Sequence, residues 1–108
     1  MINYEDFAKL DIRVGKIISA EIMPDADRLL KLSVDIGEDE PRTIVSGIRE
    51  YFPEPEKLVG KNIPILTNLE PRTLRGVESQ GMILAASDDD AFSLLEATTP
   101  LSPGAGIK

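Results

Sequence analysis

Ile12-Arg13-Val14-Gly15-Lys16-Ile17-Ile18-Ser19-Ala20-Glu21-Ile22 is the stretch whose pattern decides the fold. Its even positions read Ile12, Val14, Lys16, Ile18, Ala20 and Ile22, opposite Arg13, Gly15, Ile17, Ser19 and Glu21. A period of two over this length predicts a long half-buried strand with the even side inward, Lys16 and Ile17 being the exceptions. Pro24-Asp25-Ala26-Asp27 stops it. Leu30, Leu32, Val34 and Ile36 then alternate with Lys31, Ser33 and Asp35, predicting a second strand, and Gly37-Glu38-Asp39-Glu40-Pro41 makes a polar turn.

Working outward, Tyr4 to Leu10 reads as a short helix with Asn3 as N-cap and Phe7 and Leu10 on its inner side. Arg42 to Ile48 reads as a third strand broken at Gly47, and Tyr51 to Leu58 as a proline-started helical turn. Lys61 to Leu66 is a fourth strand, with Pro64 suggesting an edge or a bulge. Gly81 to Ala86 is a fifth, followed by a charged turn at Ser87-Asp88-Asp89-Asp90 and a short returning strand from Ala91 to Glu96. The tail from Pro100 to Lys108 carries two prolines, two glycines and Ile107. The class is all-β. A five-stranded Greek-key barrel of the oligonucleotide-binding type fits, with short helices and a C-terminal extension, although periodicity does not separate it from other small barrels.

The 108 residues allow one domain, 1–108, with one modest core. No apolar run approaches the roughly 20 residues needed to span a bilayer, so no membrane association is expected. The acidic start Met1-Ile2-Asn3-Tyr4-Glu5-Asp6 is unlike a signal peptide, and the chain has no cysteine, so the expected location is cytoplasmic. Without cysteine or histidine, thiol chemistry and the commonest zinc ligands are excluded. Asp88-Asp89-Asp90 reads as a hairpin tip rather than a cation site. There is no phosphate-cradling glycine loop and no carboxylate pair at a telling spacing; no catalytic residue, metal or cofactor is expected.

The net charge of −7 opposes a nucleic-acid partner, because phosphate neutralisation drives such binding. Its distribution does not. Residues 57–87 hold Lys57, Lys61, Arg72 and Arg75 against Glu70 and Glu78, which allows a local positive face on an acidic body. Lys31 is on the outward phase of the second strand and Arg42 begins the third, so a hairpin across Gly37–Pro41 would bring the two cations near each other. Asn68-Leu69-Glu70-Pro71-Arg72-Thr73-Leu74-Arg75 offers a proline-started turn with two arginines three apart, which on a helical turn share a side. In Ser79-Gln80-Gly81-Met82, Ser79 and Gln80 can bond sugar or phosphate, Gly81 permits close approach, and Met82 can pack on a ribose or base.

Three blocks in order, Asp11-Ile12-Arg13-Val14-Gly15-Lys16-Ile17, Ile44-Val45-Ser46-Gly47-Ile48 and Ser79-Gln80-Gly81-Met82, together resemble the tRNA-binding domain family. That family includes C-terminal appendages of methionyl-tRNA synthetases and small free-standing tRNA-binding proteins. The similarity runs from about Phe7 to the end at Lys108. It implies the oligonucleotide-binding barrel and non-catalytic tRNA binding near the elbow, with little dependence on sequence. The implied ligand contacts are Lys31, Arg42, Ser79 and Met82, with Asn68, Arg72 and Arg75 as weaker candidates. The implied partners are tRNA, a second copy of the chain in a homodimer, and a methionyl-tRNA synthetase catalytic domain. The family often has lysine where this chain has Thr73, a departure that bears on affinity. A related branch with the same barrel acts as an export chaperone for unfolded polypeptides; the acidic charge suits it, and it is the alternative reading.

Overall fold

The computed structural model describes all 108 residues. A five-residue helix α1 (Tyr4–Ala8) precedes β1 (Ile12–Ile22), β2 (Leu30–Asp35) and β3 (Arg42–Ser46). Two 3-10 turns, Arg49–Tyr51 and Pro55–Leu58, lead to β4 (Asn62–Leu66), after which come β5 (Arg72–Leu74), β6 (Val77–Ser79), β7 (Met82–Ile83), β8 (Ala85–Ser87) and β9 (Phe92–Leu94). β3, β2, β1, β4 and β7 form one antiparallel sheet in that order, which curls into a nearly closed barrel. This is the oligonucleotide-binding architecture expected from the sequence. No helix is long and apolar enough to cross a membrane.

β1 has the predicted bounds but not the predicted phase. Gly15 and Ile17 are buried, Lys16 is exposed and Ile18 is 44% exposed, so the barrel interior takes the odd positions here. The register against β2 slips between Ile17 and Ser19, and beyond the slip Ala20 pairs with Leu32 and Ile22 with Leu30. A bulge therefore transfers the inward phase from odd to even in mid-strand. Lys16 and Ile17, the exceptions to the alternation, mark its place. Ile12 and Val14 are buried for another reason: the tail lies alongside them. The N–H of Val14 donates to the Ala105 carbonyl and that of Gly104 to the Val14 carbonyl, each at 2.8 Å, extending the sheet past the end of β2.

That arrangement also accommodates Pro64. β4 is not an edge strand, since β1 flanks it on one side and β7 on the other. Pro64 faces Val14, whose own backbone groups are turned to the tail, so the missing proline N–H breaks no bond to β1.

The core is Ile17, Leu30, Leu32, Val34, Ile36, Ile44, Ile48, Leu58, Ile63 and Ile65. Phe52, Phe92 and Leu94 pack against it, and Tyr51 stacks on Phe92 with ring centroids 4.3 Å apart. The predicted fifth strand is split: Leu84 separates β7 from β8, and β8 pairs with β9 as a hairpin whose tip is stabilised by the Asp88 carboxylate accepting from the N–H groups of Asp90 and Ala91 at 2.8 Å. Those bonds hold the Asp88 carboxyl below its usual range. At the other end, Asn3 caps α1 as expected, accepting from the Asp6 N–H at 2.9 Å. The helix ends before Leu10, which is 45% exposed rather than on an inner side.

Candidate nucleic-acid interface

The segment from Asn68 to Val77 is not a helical turn. Leu74 pairs with Val77, and Arg75 and Gly76 make a two-residue hairpin connection with φ of +51° and +80°. Arg72 therefore lies on a strand and Arg75 at the tip, so the two do not share the side of a helix. Leu74 and Val77 pack onto an outer apolar cluster of Met23, Ala26 and Val45, joined by Leu29. The β5–β6 hairpin, which connects the fourth and fifth barrel strands, thus meets the β1–β2 loop over the outside of β2 and β3. These are the loops and strands that frame ligands in barrels of this type.

β3 and β7 do not pair directly as a ladder, and the gap between them is bridged by Ser79 and Gln80. The Gln80 N–H donates to the Thr43 carbonyl at 2.8 Å, and the Thr43 N–H donates to Gln80 Oε1 at 3.0 Å. The Val45 N–H donates to Ser79 Oγ at 2.9 Å, and that hydroxyl donates to the Gly81 carbonyl at 3.2 Å. Ser79 is 5% exposed. Its hydroxyl is occupied in closing the barrel.

Arg42 serves the same closure. Its Nη1 donates to the carbonyls of Thr67 and Gln80, while Nε and Nη2 each donate to the Glu38 carboxylate at 2.9 Å. Every arm of the guanidinium is engaged within the fold. Nor is it beside Lys31: Lys31 pairs with Val45 and Arg42 with Val34, three positions along the hairpin, or about 10 Å. Asn68 is likewise occupied, accepting from the Asp11 N–H at 2.9 Å and donating to the Lys9 carbonyl at 2.7 Å, which straps the N-terminal segment to the barrel.

Lys31, Arg72, Arg75 and Met82 remain available. Lys31 and Arg75 line one surface depression of about 270 Å³ with Glu21 and Asp25. Arg72 and Met82 line another of about 110 Å³ that reaches Ser79, and Met82 is 44% exposed. Two cations join them that the sequence did not single out. Arg28, in the β1–β2 loop, lines a further depression of about 300 Å³ with Arg75 and Asp27. Arg49 donates to the carbonyls of Met23 and Ala26 at 3.3 and 2.9 Å, fixing that loop. The only signal for Arg28 was position, since the first loop of such a barrel borders the ligand face, and Arg49, in the turn after β3, carried none.

The remaining charges are largely neutralised. Lys9 pairs with Asp6, Arg13 with Asp11, Arg42 with Glu38, Lys57 with Glu54 and Lys61 with Glu96. Lys57 and Lys61 thus drop out of the positive segment read from the sequence. The Arg13 guanidinium holds the Asp11 carboxyl below its usual range, and the Arg42 guanidinium does the same to Glu38. Two carboxyls with lowered values stabilise the fold fully above their ordinary range near pH 4, and that contribution disappears as pH falls through the lowered values.

Arg42→Ala is therefore expected to destabilise the domain by about 2 kcal/mol, chiefly by leaving the Thr67 and Gln80 carbonyls without their donor. Urea unfolding reads this directly. The acid arm of the melting-temperature profile should flatten in the same variant, because Glu38 has lost the partner that lowered its carboxyl.

A nearly closed five-stranded barrel with a cationic hairpin over its second and third strands has the architecture of an oligonucleotide-binding barrel. Residues 12–106 match the family described as "Putative tRNA binding domain". The chain belongs to that family. It is 52% identical over 108 residues to a methionine–tRNA ligase of Methanoregula boonei, covering all of this chain and 16% of the enzyme, so it spans about one-sixth of that relative's length. The structure of a MetRS-related protein from Pyrococcus horikoshii superposes with a TM-score of 0.91 at 37% identity, covering 100% of this chain and 98% of the other. The chaperone CsaA of Bacillus anthracis superposes with a TM-score of 0.87 at 29% identity, covering 100% and 99%.

Proposed function

We propose that this chain grips the outside of the L-shaped tRNA near its elbow, recognising shape and backbone with little dependence on sequence. The observation that carries this reading is the placement of unpaired charge. Of twelve lysines and arginines, seven have no carboxylate within 4.0 Å, and five of the seven (Arg28, Lys31, Arg49, Arg72 and Arg75) belong to the β1–β2 loop, β2, the turn after β3 or the β5–β6 hairpin. A-form RNA offers phosphates and 2′-hydroxyls to such a face, and Met82 supplies an apolar contact for a ribose. Ser79, Arg42 and Asn68 act behind the face by holding the strap and hairpin in place. Glu21, Asp25 and Asp27 lie among the cations, so the grip is modest and salt-sensitive.

The domain serves as the tRNA-affinity module of a methionyl-tRNA synthetase, fused to it or free-standing. A weak hold on the tRNA body makes the acceptor end's encounter with a catalytic domain effectively intramolecular. Two copies pair through the tail, where Val14, Ile63, Leu95, Leu101 and Ile107 line an apolar depression of about 210 Å³. Hydroxyl-radical footprinting of tRNA is the test. Protection on the outer side of the elbow, alike for different tRNAs, is expected; protection confined to anticodon bases would contradict the reading.

The same apolar depression, with Leu95 44% and Leu101 48% exposed, also favours the second reading of an export-type chaperone. On that reading the groove binds unfolded polypeptide, salt-insensitively and without tRNA affinity.

A further inference from the structure

Arg75 is the one non-glycine residue of the chain with positive φ, at +51°, and Gly76 follows at +80°. Hairpin connections of this two-residue kind favour Asn, Asp or Gly at the first position, because other side chains crowd the backbone there. An arginine in that place gives up stability. Nothing inside the molecule offsets the loss: Arg75 is exposed, with no hydrogen bond and no carboxylate within 4.0 Å. A strained residue at an exposed tip points to a contact with something outside the fold.

Its surroundings specify that contact. Arg75 lines two depressions, one shared with Lys31 and the other with Arg28. Each holds a second cation, and each also holds carboxylates, Glu21 and Asp25 in the first and Asp27 in the second. The carboxylates disfavour a free anion, whereas a polyanion tethered at several points tolerates them. We infer that Arg75 is a saddle across which one RNA strand passes, with successive phosphates on either side of the hairpin tip, one shared with Lys31 and the next with Arg28. Arg28 is thereby a binding residue. The inference rests on the tRNA reading above and adds which strand contacts the hairpin makes, and through which pair of subsites.

The test compares Arg75→Asn, Arg28→Gln and Lys31→Ala/Arg72→Ala in the full chain, reading melting temperature and unfractionated-tRNA affinity across a salt series. Arg75→Asn is expected to raise the melting temperature by about 3 °C by relieving the turn, while weakening tRNA about fivefold and reducing the salt slope by about 1 or more. Arg28→Gln should weaken binding and reduce the slope by about 1 with no change in melting temperature. Lys31→Ala/Arg72→Ala losing tRNA affinity while Arg28→Gln and Arg75→Asn keep it would overturn the saddle alone. An Arg75→Asn protein that melts lower than the parent would overturn it too. Absence of salt-dependent tRNA binding in the parent protein would overturn the reading beneath it as well.

Discussion

Lys31→Glu, Arg72→Glu and Arg75→Glu combined are expected to lower tRNA affinity by about 100-fold at 0.1 M salt, with the fold intact. The three side chains make no ion pair, so their reversal removes no contact that holds the barrel. It does remove counterion release at each phosphate they neutralise and puts like charge against the RNA. A control variant, Lys9→Glu/Lys57→Glu/Lys108→Glu, changes the net charge by the same amount at positions away from the hairpin. It should keep most of the affinity, since a Debye length of about 8 Å confines the effect of each charge to its neighbourhood. Filter binding or fluorescence anisotropy measures both. Equal losses in the two variants would mean that net charge governs binding and that the hairpin face has no special role.

Gly15→Ala is expected to destabilise the domain by about 3 kcal/mol, seen as a fall in melting temperature of roughly 10–20 °C. A β-carbon at this position would lie 2.6 Å from Val34 Cγ1, 2.8 Å from Ile65 Cγ1 and 3.3 Å from Ile36 Cγ2. These are branched side chains inside a nearly closed barrel, buried to 0% exposure, so the clash is relieved only by shifting packed neighbours. Shrinking the nearest neighbour should help: Gly15→Ala/Val34→Ala is expected to lose less than the sum of its parts. Strict additivity of the two changes would show that the clash is not what destabilises the single variant.

The sequence pattern carried the strands because core positions repeat where strands do, and the family resemblance selected the barrel. Leu30, Leu32, Val34 and Ile36 are all buried as the alternation requires, and β1 begins and ends where it was read. The inward phase of β1 was read for the half beyond the bulge only, because one slipped residue puts the two halves of the strand in opposite phase. The β5–β6 hairpin was missed because Arg75-Gly76 lacks the Asn or Asp that announces such a turn, while Pro71 and the arginine spacing imitate a helical one.

The candidate site was legible in part for a different reason. A polar side chain near a ligand face has the same chemistry whether it bonds RNA or its own backbone. Ser79, Arg42 and Asn68 bond carbonyls and N–H groups that are distant in sequence, at separations set by barrel closure. Lys31, Arg72 and Arg75 differ from them only in having no such partner, which is a property of the fold. Arg28 emerged for the same reason, once the first loop and the hairpin were seen to meet.

On the proposed reading, an acidic domain binds tRNA through one local cationic face. The most direct test of that reading is the affinity of the purified protein for unfractionated tRNA across a salt series, with a denatured polypeptide as competitor. Binding should weaken steeply as salt rises, and the polypeptide should not displace the tRNA. Polypeptide binding that is indifferent to salt, with no tRNA bound at low salt, would contradict it and make the chaperone reading the right one.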